Sequence, residues 1–185
     1  MTGRRIEDGE SYNLQYGANY IAVMPTNLYG PNDNFHMENS HVMPAMMRKV
    51  YLAKLINDNN REAICKDLSI RPVGANIKEN GETVRYVIDR NHSTGRGGAI
   101  PSLGEIRNCH INVGTGKELT IRELSQLVVK AVGFTGTVEF DSSKPDGTMR
   151  KLIDVSKLHS LGWTHKVEIE DGVRKLFDWY RGSLK

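Results

Sequence analysis

Two histidines, His36 and His41, stand close together in a stretch rich in Pro, Gly, Asn and Asp. An imidazole can take up and return a proton near neutral pH, because its unperturbed pKa is about 6.5. A histidine can also serve as a core or capping residue. The residues alone therefore predict a candidate acid–base site within residues 24–43, and they do not choose between the two histidines.

The stretch 24–43 joins two predicted elements. Before it lies a short apolar run at residues 20–23, Tyr-Ile-Ala-Val, which predicts a strand. After it the chain takes up the periodicity of a helix. Connections of about twenty residues are uncommon inside compact domains and are more often functional than idle. We therefore expect this loop to belong to a binding or catalytic site.

The segment after the loop predicts an amphipathic helix over residues 40–58, because apolar residues recur there at three- and four-residue spacing. Asn39 or Ser40 is expected to cap its start. Two basic residues, Arg48 and Lys49, fall between the apolar positions. The methionines of this segment are expected to fill gaps in a core rather than to contact a ligand.

Residues 108–185 carry clear signals for further elements. Thr120 and Glu123 form a capping box at the start of one helix, and Gly162 is expected to end another. The predicted elements are strands at 109–113 and 137–140, a turn at 144–147, and helices at 121–131, 155–161 and 168–180.

The middle of the chain, residues 57–107, is harder to interpret. Alternation of Val84, Tyr86 and Ile88 predicts a strand. Four arginines could bind a pyrophosphate, since a guanidinium fork fits phosphate oxygens, although each alone is more often solvated surface; they are Arg71, Arg85, Arg90 and Arg96. The glycine-rich segment 93–99 lacks the strand-to-helix context of a dinucleotide-binding turn.

Composition excludes several classes. The 185 residues carry 25 basic and 22 acidic side chains, a balance too even to imply nucleic acid. No apolar run approaches the roughly 20 residues of a membrane span, and no secretory signal opens the sequence. Two cysteines, Cys65 and Cys109, make neither a disulfide framework nor a metal site with the histidines. A reduced, cytoplasmic protein is expected.

Several uncommon strings occur in one order along the chain. They are E-S-Y-N-x-Q-Y-G at 10–17, P-T-N-L-Y-G-P-N-D-N-F-H-x-x-N-S-H-V at 25–42, H-I-N-V-G-T-G at 110–116, T-I-R-E-L at 120–124, S-K-P-D-G-T-x-R-K at 143–151 and D-V-S-K-L-H-x-L-G-W at 154–163. In these strings the chain resembles the GDP-L-fucose synthases, which are NADP-dependent 3,5-epimerases and 4-reductases of GDP-4-keto-6-deoxymannose. The resemblance covers residues 10–60 and 108–185. Residues 57–107 depart from the tryptophan- and arginine-bearing strand that the family has there.

The resemblance implies an α/β fold of the extended short-chain dehydrogenase type. Residues 1–40 are expected to be a remnant of the Rossmann-like dinucleotide-binding domain, namely the end of the catalytic helix, a strand and the signature loop. Residues 41–185 are expected to form the smaller α/β domain that binds the sugar nucleotide, with residues 57–107 atypical. The N-terminal cofactor half is absent, because the sequence contains neither a Gly-rich pyrophosphate turn nor the family's Tyr-x-x-x-Lys pair.

The resemblance also assigns roles to residues. His41 matches the family's acid/base histidine, which also lies beside the cofactor; its reactive cysteine partner is matched by neither cysteine here. Residues at the nicotinamide end of NADP(H) are expected to be Pro25, Thr26, Asn27 and Leu28. Residues that contact the GDP-sugar are expected to be Lys49, Asp146 and Lys151, with Lys144 and Arg150 assisting by charge.

Three hypotheses follow from the missing motifs. The first is a C-terminal fragment of a GDP-L-fucose synthase, which binds no NADP(H) and is inactive alone. The second is a non-catalytic module that binds a sugar nucleotide or pairs with another chain. The third is a structural remnant of the enzyme. A homodimer or other self-association is expected, because the loss of half of a parallel sheet would expose its edge and face.

Overall fold

The computed structural model describes residues 9, 11–37, 39–72, 87–88, 110–140 and 152–184. Residues 11–16 are helical and precede the first strand. The elements that follow are β1 (Ala22–Pro25), α1 (Val42–Asn57), α2 (Arg61–Ile70), β2 (Val87–Ile88), β3 (His110–Val113), α3 (Ile121–Val132), β4 (Glu139–Phe140), α4 (Ser156–Ser160) and α5 (Ile169–Gly182). The predicted α/β class is confirmed, and both strand pairs, β1–β3 and β2–β4, are parallel.

The predicted helices α1, α3, α4 and α5 are confirmed with ends within two residues of those expected. The capping box is also present: the Thr120 hydroxyl accepts the Glu123 N–H at 3.1 Å, and the Glu123 carboxylate accepts the Thr120 N–H at 2.8 Å. The Thr120 N–H and hydroxyl both donate to the Glu123 carboxylate, and these two bonds lower the pKa of Glu123. Gly133 then ends α3 in the left-handed conformation, with φ of 70°.

The first strand was predicted two residues too early. β1 runs from Ala22, which pairs with His110, to Pro25, which pairs with Val113. Tyr20 cannot join this ladder, because its N–H and its carbonyl are both bonded to the side-chain amide of Asn13, at 2.7 and 2.8 Å. Pairing with β3, together with the two hydrogen bonds to Asn13, thus sets the register that the local apolar run left open.

The predicted cap of α1 was wrong. The N-cap residue is His41, not Asn39 or Ser40, and its side chain makes no capping hydrogen bond. Ser40 instead donates its hydroxyl to the His36 carbonyl within the preceding loop. The polar side chains near this helix start therefore stabilise the loop rather than the helix.

Helix α2 was not predicted from the sequence. Asn60 caps it by accepting the Ala63 N–H at 3.1 Å, and Glu62 places an acidic side chain in the first turn. These two signals were available in the sequence. Of the strand predicted around residues 84–88, only Val87–Ile88 lie among the described residues, and the strand predicted at 137–140 is two residues long.

The chain divides into two compact units, and each consists of segments that are separated in sequence. The first comprises the described residues of 1–28, 95–118 and 150–166. In it, β1 and β3 form the parallel pair, Asn112 donates to the Asp154 carbonyl at 2.8 Å, and Lys157 of α4 donates to the His110 carbonyl at 3.0 Å. These bonds connect α4 and the segment before it to β3. The predicted domain boundary at residue 40 stays a prediction.

The second unit comprises the described residues of 29–94, 119–149 and 167–185. Its core is formed by apolar side chains of α1, α3 and α5, including Met43, Met46, Met47, Val50, Tyr51, Val128, Val132, Val173, Leu176, Phe177 and Tyr180. The prediction that the methionines are packing residues is confirmed by Met46 and Met47, which are fully buried. This helical core supports the loop that carries the two histidines.

Among the described helices, none is long and apolar enough to span a membrane. The same part of the chain brings no three His, Cys, Asp or Glu side chains together as metal ligands.

Candidate functional site

The loop at residues 30–41 is closed by its own polar side chains. Asn34 accepts the His36 N–H at 3.0 Å and donates its amide to the Asn39 carbonyl at 3.1 Å. His36 accepts the Asn39 N–H on Nδ1 at 3.1 Å. These three bonds fold residues 34–39 into a compact turn, so the loop reaches α1 with a defined backbone.

His36 is a structural member of this turn. Because its Nδ1 accepts a backbone N–H, the neutral ring carries its proton on Nε2, and protonation of Nδ1 would break the bond to Asn39. The carbonyl of His36 also accepts the hydroxyl of Ser40. A proton transfer that used Nδ1 of His36 would therefore disrupt the loop.

His41 is placed differently. Its backbone is fixed as the N-cap of α1, with φ of −64° and ψ of 158°, and its carbonyl accepts the Ala45 N–H at 3.2 Å. Its side chain is exposed and takes no part in capping. A ring on a fixed backbone, directed away from the core, is suited to contact a bound molecule. The structure thus distinguishes the two histidines that the residues alone could not.

Two aromatic side chains attach the loop to α5. The hydroxyl of Tyr29 lies against Gly172, where an added Cβ would collide with it. Burial, together with the nearby Glu170 carboxylate, raises the pKa of Tyr29. Phe35, which is 2% exposed, has its ring centroid 4.6 Å from that of Tyr180 and 5.9 Å from that of Trp179.

Lys49 lies on α1 eight residues after His41, which corresponds to about 12 Å along the helix axis. It is half-buried. One helix therefore carries both the predicted acid/base residue and one predicted contact to the GDP-sugar. The two side chains are therefore separated by about two turns of the same helix.

Arg48, the neighbour of Lys49, is fully buried, which the sequence analysis did not predict. Its Nε donates to a carboxylate oxygen of Asp67 at 2.9 Å, its Nη2 lies 2.7 Å from the same oxygen in an ion pair, and its Nη1 donates to the Phe35 carbonyl at 3.2 Å. Nη2 also donates to the Arg71 carbonyl. The other oxygen of Asp67 accepts the hydroxyl of Tyr180. Burial and this bond to Asp67 raise the pKa of Tyr180 well above its usual value.

Arg71, one of the four candidate pyrophosphate ligands, has a packing role in the structure. Its guanidinium carbon lies 4.9 Å from the ring centroid of Tyr180 and 5.5 Å from that of Phe35, and its Nη2 donates to Ser183 at 2.7 Å. Arg85, Arg90 and Arg96 lie outside the described residues.

In the first unit, Pro25, Thr26, Asn27 and Leu28 continue from the carboxyl end of β1. Thr26 donates its N–H to the Val113 carbonyl at 3.0 Å, so this segment stays beside the carboxyl end of β3. A Cβ at Gly114 would lie 3.0 Å from Thr26 Cγ2 and 3.3 Å from Ile153 Cδ1. Ligands of open α/β sheets bind outside the carboxyl ends of parallel strands, which is where these four residues lie.

Other predicted site residues lie outside the described residues, namely Asp146 and Lys151 with their neighbours Lys144 and Arg150. Cys109 and the segment 93–99, to which no site was assigned, also lie outside them. The structure places His41 and Lys49 in the second unit and Pro25 to Leu28 in the first. Their roles stay predictions.

Comparison with known proteins confirms the resemblance. Residues 6–72 match the NAD dependent epimerase/dehydratase family. The chain is 44% identical to GDP-L-fucose synthase of Escherichia coli (strain K12), over 92% of this chain and 51% of that protein. It is 42% identical to GDP-L-fucose synthase 1 of Arabidopsis thaliana, over 95% of this chain and 50% of that protein. The chain therefore spans about half the length of these relatives.

Among solved structures, the chain is similar to a GDP-mannoheptose C4 reductase from Campylobacter jejuni with NADP bound. The TM-score is 0.67 at 30% identity, and the match covers 95% of this chain and 57% of that one.

Proposed function

We propose that this chain, a relative of the GDP-L-fucose synthases that spans about half of their length, is the portion of such an enzyme that binds the sugar nucleotide and supplies the acid/base histidine. The complete enzyme would epimerise GDP-4-keto-6-deoxymannose and reduce it with NADPH to GDP-L-fucose. The observation that carries the proposal is the exposed ring of His41 on a backbone fixed by α1, within a loop that matches the family's signature.

Epimerisation next to a ketone requires a base that removes an acidified C–H proton and an acid that returns a proton to the other face. In the proposed step the neutral imidazole of His41 takes the proton from carbon, and the electron pair of the C–H bond moves into an enolate. An acid from the part of the enzyme outside this chain reprotonates the carbon. His36 is the poorer candidate because its Nδ1 is bonded to the Asn39 N–H.

We infer that Pro25, Thr26, Asn27 and Leu28 border the nicotinamide end of NADP(H) in the complete enzyme. Their place beside the carboxyl ends of β1 and β3 fits a cofactor end, and Gly114 permits the close approach of Thr26. Bound NADPH would supply the hydride that reduces the keto group. The four residues would orient the ring, while the pyrophosphate needs the Gly-rich turn that this sequence lacks.

The GDP-sugar would be bound by the charges of Lys49, Asp146 and Lys151. Lys49 on α1 would contact a phosphate while His41, two turns earlier, faces the sugar. The ammonium group of a lysine acts on phosphate as a point charge and does not need the planar geometry of an arginine. The other two residues enter the proposal through the resemblance alone.

We also propose self-association and a cytoplasmic, reducing location. Eight large apolar side chains described in the first unit are at least half exposed: Tyr12, Leu14, Tyr16, Tyr20, Ile21, Val23, Leu28 and Leu161. Apolar surface of this extent is typical of an interface. The exposed free thiol of Cys65 suits a compartment that keeps cysteines reduced.

The experiment that tests the function completes the chain with a dinucleotide-binding half and incubates it with GDP-4-keto-6-deoxymannose in deuterated water. Deuterium is expected at the two sugar carbons next to the ketone, and NADPH oxidation is expected to follow. The absence of both, in a completed protein that folds and binds the GDP-sugar, would overturn the proposal and favour a non-catalytic binding module.

A further inference from the structure

The guanidinium of Arg48 connects three parts of the second unit. It donates to the Phe35 carbonyl in the loop, to Asp67 within α2, and to the Arg71 carbonyl at the end of α2. Through Asp67 it is also connected to the Tyr180 hydroxyl of α5. Arg48 and Asp67 are both 0% exposed, so water cannot replace these bonds.

Stability alone does not explain this arrangement. Removing two charges from water costs much of what their attraction returns, and buried ion pairs can often be replaced by apolar side chains of similar volume without loss. The fixed fork of a guanidinium, by contrast, places several acceptors at defined positions. The chemistry of Arg48 therefore favours a geometric role over a stabilising one.

The geometry shows which segment is fixed. Arg48 follows His41 by seven residues on α1, so the two Cα atoms lie on nearly the same face of the helix, within about 20° of rotation. At the start of the segment 35–41, the Phe35 carbonyl accepts a hydrogen bond from Arg48 of α1. At its end, His41 is the N-cap residue of the same helix. One helix thus fixes both ends of the segment.

We propose that Arg48 is a positioning residue for His41: with Asp67 and Tyr180 as its buried partners, it fixes the Phe35 carbonyl and thereby the conformation of the segment that ends in the acid/base histidine. The inference rests on the proposed function for the role of His41. The placement of the segment itself can be tested without a substrate.

The test separates stability from positioning in the 185-residue chain. The triple variant Arg48→Met/Asp67→Leu/Tyr180→Phe replaces the whole buried network by apolar side chains. Its thermal midpoint is expected to recover most of the loss seen in Arg48→Met alone, because no charge stays buried without a partner. The triple variant nevertheless lacks the guanidinium that donates to the Phe35 carbonyl.

Amide hydrogen exchange, followed by NMR, then gives the result. The N–H groups of His36 and Asn39, both bonded within the turn, are expected to exchange at least about tenfold faster in the triple variant. Interior amides of α3 serve as internal reference and are expected to change by less than about threefold. Unchanged protection at His36 and Asn39 in a variant with recovered midpoint would overturn the proposal.

Arg48→Lys decides the question if the triple variant does not fold. The ammonium keeps the charge opposite Asp67 but cannot reach Asp67 and the Phe35 carbonyl together. Faster exchange at His36 and Asn39 is again expected, and protection equal to the unaltered chain would refute the positioning role. The control is Arg174→Lys, the same substitution in an exposed ion pair with Asp171 on α5.

The two proposals fail separately. If exchange changes as expected but His41→Asn has no effect on deuterium incorporation in the completed enzyme, the loop is positioned by Arg48 and the proposed function is wrong. If His41→Asn abolishes incorporation while exchange at His36 and Asn39 is unaffected by loss of Arg48, the function holds and the positioning role is wrong.

Discussion

The hydroxyl of Tyr29 lies directly against Gly172 in the first turns of α5, and a side chain at position 172 would occupy the place of that hydroxyl. In most helices a change from Gly to Ala stabilises, by up to about 1 kcal/mol. Here the added methyl group would displace the ring that attaches the start of the loop to α5. Because of this contact between Tyr29 and Gly172, we expect Gly172→Ala to destabilise the fold rather than stabilise it.

Gly172→Ala is expected to lower the free energy of unfolding by about 1–3 kcal/mol, the usual cost of overpacking. Denaturant unfolding of the variant measures it. Gly182→Ala is the control, since a Cβ there meets no atom within 4 Å. Adding Tyr29→Phe, which removes the colliding hydroxyl, should restore part of the loss; no restoration would mean that the loss arises elsewhere.

His41→Asn, made in a completed enzyme, is expected to slow epimerisation by about 10²- to 10⁴-fold, because an amide cannot carry the proton. Binding of the GDP-sugar should change far less. Solvent deuterium incorporation at the sugar carbons next to the ketone measures the step. His36→Asn, which replaces the histidine bonded within the loop, should reduce thermal stability as well as rate. Incorporation at an unchanged rate in His41→Asn would exclude this histidine as the base.

The isolated 185-residue chain is expected neither to bind NADPH measurably nor to oxidise it with GDP-4-keto-6-deoxymannose. Affinity for this cofactor comes mainly from the pyrophosphate turn, and the sequence contains no such turn. Calorimetric titration with NADPH and with GDP, together with absorbance at the reduced-nicotinamide band, tests both parts. Weak GDP binding that is lost in Lys49→Gln is expected, whereas micromolar NADPH binding would place the cofactor site in another part of the chain.

Because of Tyr180, we expect the free energy of unfolding to fall at alkaline pH. Its pKa in the folded chain is raised by burial and by the bond to Asp67, while in the unfolded chain it is about 10. Below pH 10 both states hold the proton and stability does not depend on it. Above pH 10 only the unfolded state releases it, so the free energy of unfolding falls by about 1.4 kcal/mol per pH unit from this group.

The variant Tyr180→Phe should therefore show a shallower decline of stability above pH 10, by about one proton in the slope. Its stability at neutral pH will be lower, since Asp67 loses a donor, and the comparison is made between slopes. Tyr12→Phe, at an exposed tyrosine, is the control. An identical slope in Tyr180→Phe and the unaltered chain would contradict the raised pKa.

The isolated chain is expected to self-associate through the exposed apolar side chains of the first unit. Leu14 is 71% exposed, and Tyr12, Tyr16 and Tyr20 form an exposed aromatic cluster in the same unit. Light scattering over a range of concentrations measures the state. Leu14→Lys should shift the distribution toward the monomer, while Leu119→Lys, at an exposed leucine of the second unit, provides a comparison. A monodisperse monomer at high concentration would argue against this expectation.

Much of the helical structure could be predicted because its signals are local. The three- and four-residue spacing in α3 and α5 records which face is buried, and the pairing of Thr120 with Glu123 acts over a single turn. The expected amphipathic character of α1 was wrong, because that helix is buried on nearly all sides. The resemblance implied a parallel sheet that the strand before the loop joins, but it did not assign β3 as the partner of that strand. The composition of the loop predicted a functional site, and the family's signature in it predicted His41 as the acid/base residue.

The tertiary structure decided what depends on residues distant in sequence. The register of β1 follows from pairing with β3 and from Asn13, which takes both backbone groups of Tyr20. His36 and His41 have equal chemistry, and the fold distinguishes them through the bond from the Asn39 N–H to His36 and through the exposed side chain of His41 at the N-cap of α1. Arg48 occupies a position that local spacing treats as polar, yet it is buried because Asp67, 19 residues away, and Tyr180, 113 residues from Asp67, complete its network. Periodicity reports which side of a helix is covered, but the free energy of burying a charge is set by partners that only the folded chain brings within hydrogen-bond distance.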